Sequence, residues 1–331
     1  MNQETKTFST YMSLQQKMHD FLNVSENKSS PDDFMLLGFS KGQAVCSLLL
    51  GLIYILILLG NLTVFSIIQV DSRLKTPMYF FLSCLAILDV CYSTVTLPHM
   101  LVNSITGNRK ISFHRCFIQL CFFVYVGGME SLLLTAMAYD RYVAICNPLR
   151  YSTIMNKTFC FYVVVGSCII GWLNSMSHTL MTLRLTFCDV RHINNFFCDV
   201  LPLLEAACSD TQIIQMIMHV DTVLLGASTF LIVMNSYVHI VSTILKIHSS
   251  DRKQTFSTCS SHLIVVTVFY ITGTFSYNSP RSADSFYVTQ VSSLVYSFLP
   301  PLLNPIVYCL RNNDVKRALK KIMLKNEKKK Y

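Results

Sequence analysis

Met137-Ala-Tyr-Asp-Arg-Tyr-Val-Ala-Ile-Cys-Asn-Pro-Leu-Arg-Tyr151 closes an apolar run that starts near Cys116. Up to Tyr139 the only acid in that run is Glu130, and the run ends on an acid–base–aromatic triplet, Asp140-Arg141-Tyr142. From Cys116 to Arg141 is roughly 37 Å of α-helix at about 1.5 Å per residue, against about 30 Å of bilayer hydrocarbon. A thiol therefore stands at one membrane face and an arginine at the other. Steps of three and four place Phe123, Gly127, Glu130, Leu134, Ala138 and Arg141 on one stripe. A stripe that mixes an aromatic, a glycine, a carboxylate and an arginine is the inner wall of a bundle rather than a lipid face.

Working outward, the composition agrees. The chain is 52% hydrophobic and 14% charged, with a formal charge of +9 and a mean hydropathy of +0.45. Soluble chains carry about 25% charged residues, so this one belongs in a membrane. Apolar spans run over about 44–69, 78–101, 114–142, 158–181, 213–245, 256–277 and 287–310. Seven spans put the termini on opposite sides, and the lysine-rich end fixes the C-terminus inside. The expected fold is all-α: a seven-transmembrane-helix bundle over 41–311, after an extracellular tail (1–40) and before a cytoplasmic segment (312–331). In that last segment Val315, Leu319, Ile322 and Met323 share one face among lysines, as in a short amphipathic helix on the inner leaflet. Its basic charge suits anionic lipid, not nucleic acid. Residues 1–40 contain no apolar signal segment, and Met12 and Met18 are alternative starts. Asn23 and Asn27 are the glycosylation acceptors in this topology, whereas Asn61 and Asn156 lie where glycans should not reach.

Charges inside the spans are costly and commonly functional. Asp89 lies roughly 18 Å from Pro77 and Glu130 roughly 16 Å from Arg141 along their helices, so the two carboxylates can meet. Asn61 and Asn304 could join them. Two carboxylates in a dry site share a proton or a cation, and the cluster is otherwise a protonated structural one. Pro305 removes a backbone bond and leaves a deformable point from which Tyr308 could swing toward Arg141 and Tyr237. His219, His239 and His262 lack ligand spacing and read as bundle or interface residues. No metal site, and no HExxH, GxxxxGK or GxSxG motif, is present, so enzymatic catalysis has no support.

The opening stretch resembles the end of the third transmembrane helix of vertebrate odorant receptors of the tetrapod type, within the rhodopsin-like G-protein-coupled receptors. Leu74-Lys-Thr-Pro-Met-Tyr-Phe-Phe-Leu82, Ala86-Ile-Leu-Asp89, Phe256-Ser-Thr-Cys-Ser-Ser-His-Leu263, Phe269-Tyr270 and the PLLNPIVYCLRN run from Pro301 resemble the same family. The resemblance spans about 36–325; the leader before Asn23, His99 and Ile271-Thr272 depart from it. It implies a plasma-membrane receptor, in sensory cilia, that binds a small volatile ligand in its extracellular half. It also implies a stimulatory olfactory-type heterotrimeric G protein as partner, with cyclic AMP as output. Asp140, Arg141, Tyr142, Tyr237, Asn304, Pro305 and Tyr308 would form the coupling switch, and Asp89 with Glu130 a sodium-linked one; no other cofactor is implied. Cys188, Cys198 and Cys208 in the second outer loop and Cys116 leave their pairing open by sequence. The resemblance pairs Cys116 with Cys198 and Cys188 with Cys208.

A transporter or channel would need inverted repeats, broken midplane helices or a continuous polar pore, none of which is visible. A non-olfactory receptor of the same class is the nearer alternative. Its aminergic version expects an acid high in the third helix, where Phe123 stands.

Depth matching predicts a ligand cavity lined by Phe123, Val124, Gly127 and Gly128, the glycines leaving room for a small molecule. Opposite them stand Tyr270, Gly273, Thr274 and Tyr277 of the sixth helix and Ser297 of the seventh. Asp221 carries two readings: a helix-end acid facing water or the loop and paired with Arg184, or a cavity carboxylate that needs a cation or donor to answer it.

Overall fold

A computed structural model of the chain describes residues 33–38, 44–187, 192–246, 249–278, 286–311 and 315–321. Seven helices within these residues are long and apolar enough to cross a membrane. They are α1 (Ala44–Val70), α2 (Pro77–Thr106), α3 (Phe113–Cys146), α4 (Lys157–Leu183), α5 (Gln212–Ile244), α6 (Ser249–Asn278) and α7 (Phe286–Arg311). The chain is thus a seven-span membrane protein, as the apolar runs predict. A further helical stretch, α8, covers 315–321 and buries Val315 and Ala318 against the bundle, with Leu319 partly covered. Ile322 and Met323 lie outside the described residues.

The helix ends follow local chemistry. Thr76 precedes Pro77, which lacks the N–H that the first turn cannot satisfy, and α2 stops where Gly107 takes φ 70°. Asn156 caps α4, its Oδ1 accepting from Phe159 N at 2.8 Å, so the side chain of this sequon is engaged in the fold. Between α1 and α2, Asp71 accepts from Arg73. That bond holds its carboxyl well below the usual range.

Helix α3 is the axis of the bundle, packing on α2, α4 and α5 and touching α6. Its stripe Phe123, Glu130, Leu134 and Ala138 is buried, whereas the leucines of α1 at 48, 49, 52 and 59 are exposed as a lipid-facing surface. Where α1 passes α7, a Cβ on Gly60 would sit 2.8 Å from Pro305 Cγ, so only glycine lets the two backbones meet there. Pro305 cannot donate to the carbonyl four residues back. That carbonyl, Pro301 O, instead accepts from Asn61 Nδ2 at 3.0 Å. Asn61 is therefore committed to helix α7 and to Ile57 O, and it does not bond the carboxylate pair as the sequence suggested.

The all-α expectation omits one small element. Strands β1 (Phe34–Leu36), β2 (Lys110–Ile111) and β3 (His192–Ile193) form a sheet ordered β2-β1-β3 at the Cys116 end. β1 runs antiparallel to β2, with Phe34 opposite Ile111, and parallel to β3, with Leu36 opposite Ile193. Phe34 is fully buried among Phe113, Phe117 and Phe187, which gives the otherwise polar leading segment a reason to dock.

Candidate functional site

One end of α3 is tied to the second loop. Cys116 and Cys198 form a disulfide, and Cys198 N donates to Gln119 Oε1 at 2.9 Å while Gln119 Nε2 donates to Val95 O. Cys208 is also disulfide-bonded; Cys188 lies outside the described residues, as do Asn23 and Asn27. Below this clamp lies a cavity of about 220 Å³ between α3, α4, α5, α6 and α7.

Phe123, Val124, Gly127, Gly128, Asp221, Tyr270, Gly273, Thr274 and Tyr277 all line it. Ser297 does not: it is fully buried and donates to Ser293 O within its own helix at 2.7 Å. Its neighbour Tyr296 is the α7 contribution. The same tyrosine corrects the reading of the glycines. A Cβ on Gly127 would lie 3.1 Å from the Tyr296 hydroxyl and one on Gly273 3.2 Å from its ring, so both glycines make way for a side chain. Gly128 faces Gly171 of α4, where an added Cβ would meet its Cα at 3.8 Å.

Asp221 pairs with His178 of α4, Nε2 to Oδ2 at 2.9 Å, and not with Arg184. The carboxylate remains 27% exposed, on the cavity side. It begins a π-helical turn, Thr222–Ala227, inside α5. Sequence reasoning missed His178, Asn174, Ser131 and Tyr296. Met218 and Leu225, also lining, were legible as the helical neighbours of Asp221 at three and four residues. His178 had a signal too, as the one ionisable side chain near the end of the fourth apolar span. At the floor, Tyr270 donates to Thr229 Oγ1 at 2.7 Å, and Thr229 pairs with Ser131 at 3.0 Å.

Halfway along the bundle, Asn304 Nδ2 donates to both oxygens of Asp89, at 3.2 and 2.9 Å. The Glu130 carboxyl is buried close enough to Asp89 for the two charges to repel. Glu130 Oε1 and Asn304 Oδ1 have no hydrogen-bond partner. Two carboxylates and an amide oxygen, with Glu130 Oε1 and Asn304 Oδ1 left over as acceptors, are a set of oxygens that suits a small hard cation or a shared proton.

At the other end of α3, Asp140 Oδ1 accepts from Tyr151 OH at 2.8 Å, and its other oxygen is 4.0 Å from Arg141 Nε. Asp140 is therefore held mainly by the tyrosine after the loop turn, not by its neighbour. Burial, with the Asp140 charge, keeps the Tyr151 phenol above its usual pKa. Arg141 Nε is buried without a hydrogen-bond partner. Its charge acts on Tyr237, Cys259, His262 and Tyr308. Tyr237 bonds His262 Nδ1 at 2.7 Å, whereas the fully buried Tyr308 hydroxyl is unpartnered. Tyr142 lies 5.8 Å from His239, ring to ring; His219 is exposed and its ring bonds Gln215 O within its own helix.

A family model described as "Olfactory receptor" matches residues 50–326. Olfactory receptor 8H1 of Homo sapiens is 44% identical over 309 residues, covering 91% of this chain and 98% of that protein. Olfactory receptor 7C1 of Homo sapiens is 44% identical over 90% of the chain, and Olfactory receptor 1f45 of Rattus norvegicus 42% over 90%. Among solved structures, squid rhodopsin superposes with a TM-score of 0.66 over 86% of this chain and 82% of its own, at 16% identity.

Proposed function

The chain belongs to the olfactory-receptor family of rhodopsin-like G-protein-coupled receptors, and from that premise we propose that it is an odorant receptor acting through a stimulatory heterotrimeric G protein. The observation that carries this reading is the cavity at the disulfide end of the same helix that ends in Arg141. A small, mostly apolar odorant fills that cavity and favours whichever bundle packing binds it better. The second packing engages Arg141 and Tyr308, unpartnered in this one, and re-pairs Tyr237. Tyr308, released at the Pro305 break, and Tyr237, freed from His262, turn toward Arg141, and the inner face opens to the G protein. The cluster of Asp89, Glu130 and Asn304 biases that equilibrium by holding either a shared proton or a sodium ion. Asp89, Glu130 and the free Asn304 oxygen would hold the ion, whose charge would relieve the repulsion between the acids. In this reading the Cys116 end faces outward at the plasma membrane of sensory cilia, and cyclic AMP rises inside.

Arg141→Ala tests it. Agonist-driven cyclic AMP should disappear while surface receptor, measured on intact cells, stays within about twofold of wild type, since the arginine is partly exposed and little is lost with it. Full signalling by the variant would remove Arg141 from the coupling role.

A further inference from the structure

Resting on that receptor reading, we propose that the cavity selects small ligands bearing a basic nitrogen, with Asp221 receiving the ammonium group and His178 as the positioning residue that holds the carboxylate. Apart from His178, Asp221 is the one ionisable acid or base among the described cavity-lining residues; no lysine or arginine lines the space. Asp199 stands just behind the wall, 3.4 Å from the Tyr277 hydroxyl. The imidazole does not cancel it. His178 Nδ1 is buried and has no partner, so a second proton there would be an unanswered N–H, and the neutral ring with its proton on Nε2 suits the site. The pair then carries one net negative charge at the cavity surface.

A carboxylate has about four acceptor positions and this one is faced by a single side chain, the His178 imidazole 2.9 Å from Oδ2, leaving the rest to be completed from the cavity. An ammonium completes it with a hydrogen bond and an opposite charge together, an ion pair that an alcohol's hydroxyl cannot make, while a ligand carboxylate is repelled. Phe123, Tyr270 and Tyr277 offer ring faces to the rest of the molecule, or to the cation itself. A volume of about 220 Å³ lies below the roughly 300–1,000 Å³ of drug-sized pockets, so the body of the ligand is compact. The π-helical turn that starts after Asp221 is a second observation, since such turns concentrate at functional positions within otherwise regular helices.

Hexylamine, cyclohexylmethylamine and benzylamine, each against the alcohol and the carboxylic acid of the same skeleton, test the proposal on the full-length receptor. Responses are read as cyclic AMP in cells and as the shift of thermal unfolding of receptor purified in lipid nanodiscs. In at least one skeleton the amine should act at about tenfold lower concentration than its alcohol, with the acid weakest. Asp221→Asn should bring the amine-to-alcohol ratio to about one. His178→Gln, which keeps a donor, should retain the preference, and His178→Leu should reduce it. Should Asp221→Asn fail to fold, the wild-type ratio and His178→Leu decide. A ratio of one or less in every skeleton, or no amine binding at all, overturns the proposal, as does a preference that survives in folded Asp221→Asn. Amines that shift unfolding without raising cyclic AMP would leave this inference standing and overturn the coupling. Neutral ligands that signal while amines neither bind nor signal would do the reverse.

Discussion

At the disulfide end of α3 the polar groups find partners across the chain. Gln119 joins α2 to the second loop, His178 meets Asp221, and Tyr277 reaches Asp199. Both halves leave buried polar atoms unmet, His178 Nδ1, Thr179 Oγ1 and Asn195 Nδ2 near the cavity and second loop, and Glu130 Oε1 midway. At the Arg141 end, however, they include the arginine Nε and the Tyr308 hydroxyl themselves. The apolar packing runs the other way. The larger cluster, from Leu82 and Leu85 through Leu133 and Met137 to Ile240, fills the Arg141 half, while the disulfide half encloses the cavity. One half is thus held by cross-links around a void. The other is densely packed yet carries polar atoms that a different packing could satisfy. Buried orphans of this kind are rare and ask for an explanation, and a second conformation supplies one.

The largest expected effect breaks the cross-linked half. Cys198→Ser removes a bond across 82 residues of sequence and should cost about 2–5 kcal/mol. Hydrogen exchange should rise around the cavity and the sheet while the Arg141 half keeps its protection. Equal loss in both halves would show that they are not separable.

An intermediate effect strains the packed half. Gly60→Val places atoms against Pro305 and should destabilise by about 1–3 kcal/mol, read as a lowered unfolding temperature. Gly166→Ala is the contrast: nothing lies within 4 Å of its added Cβ, so it should be neutral or stabilise by up to about 1 kcal/mol.

The smallest concerns Tyr151, whose hydroxyl is the close partner of Asp140. Tyr151→Phe should cost about 1 kcal/mol and raise ligand-free cyclic AMP as Asp140 loosens. Unchanged basal signalling in a well-expressed variant would mean that this contact does not restrain the Arg141 end.

The sequence by itself determined the number of spans, the inward stripe of α3 and the cavity side of α6, because a transmembrane helix fixes its own backbone bonds and its faces follow a 3.6-residue period. Leu134 and Ala138 could be placed inside, and Tyr270, Gly273, Thr274 and Tyr277 on one wall, without any partner being known. Only the tertiary structure decided who meets whom. Periodicity gives the face of a helix but not the rotation and height of its neighbour, so Tyr296 rather than Ser297 enters the cavity. A glycine announces space without saying what fills it, and at Gly127 a tyrosine does. Asn61 and Asp221 show the same limit. A buried polar side chain must find a partner, yet the choice among Asp89, Pro301 O, Arg184 and His178 depends on ångström-scale placement of helices far apart in the chain.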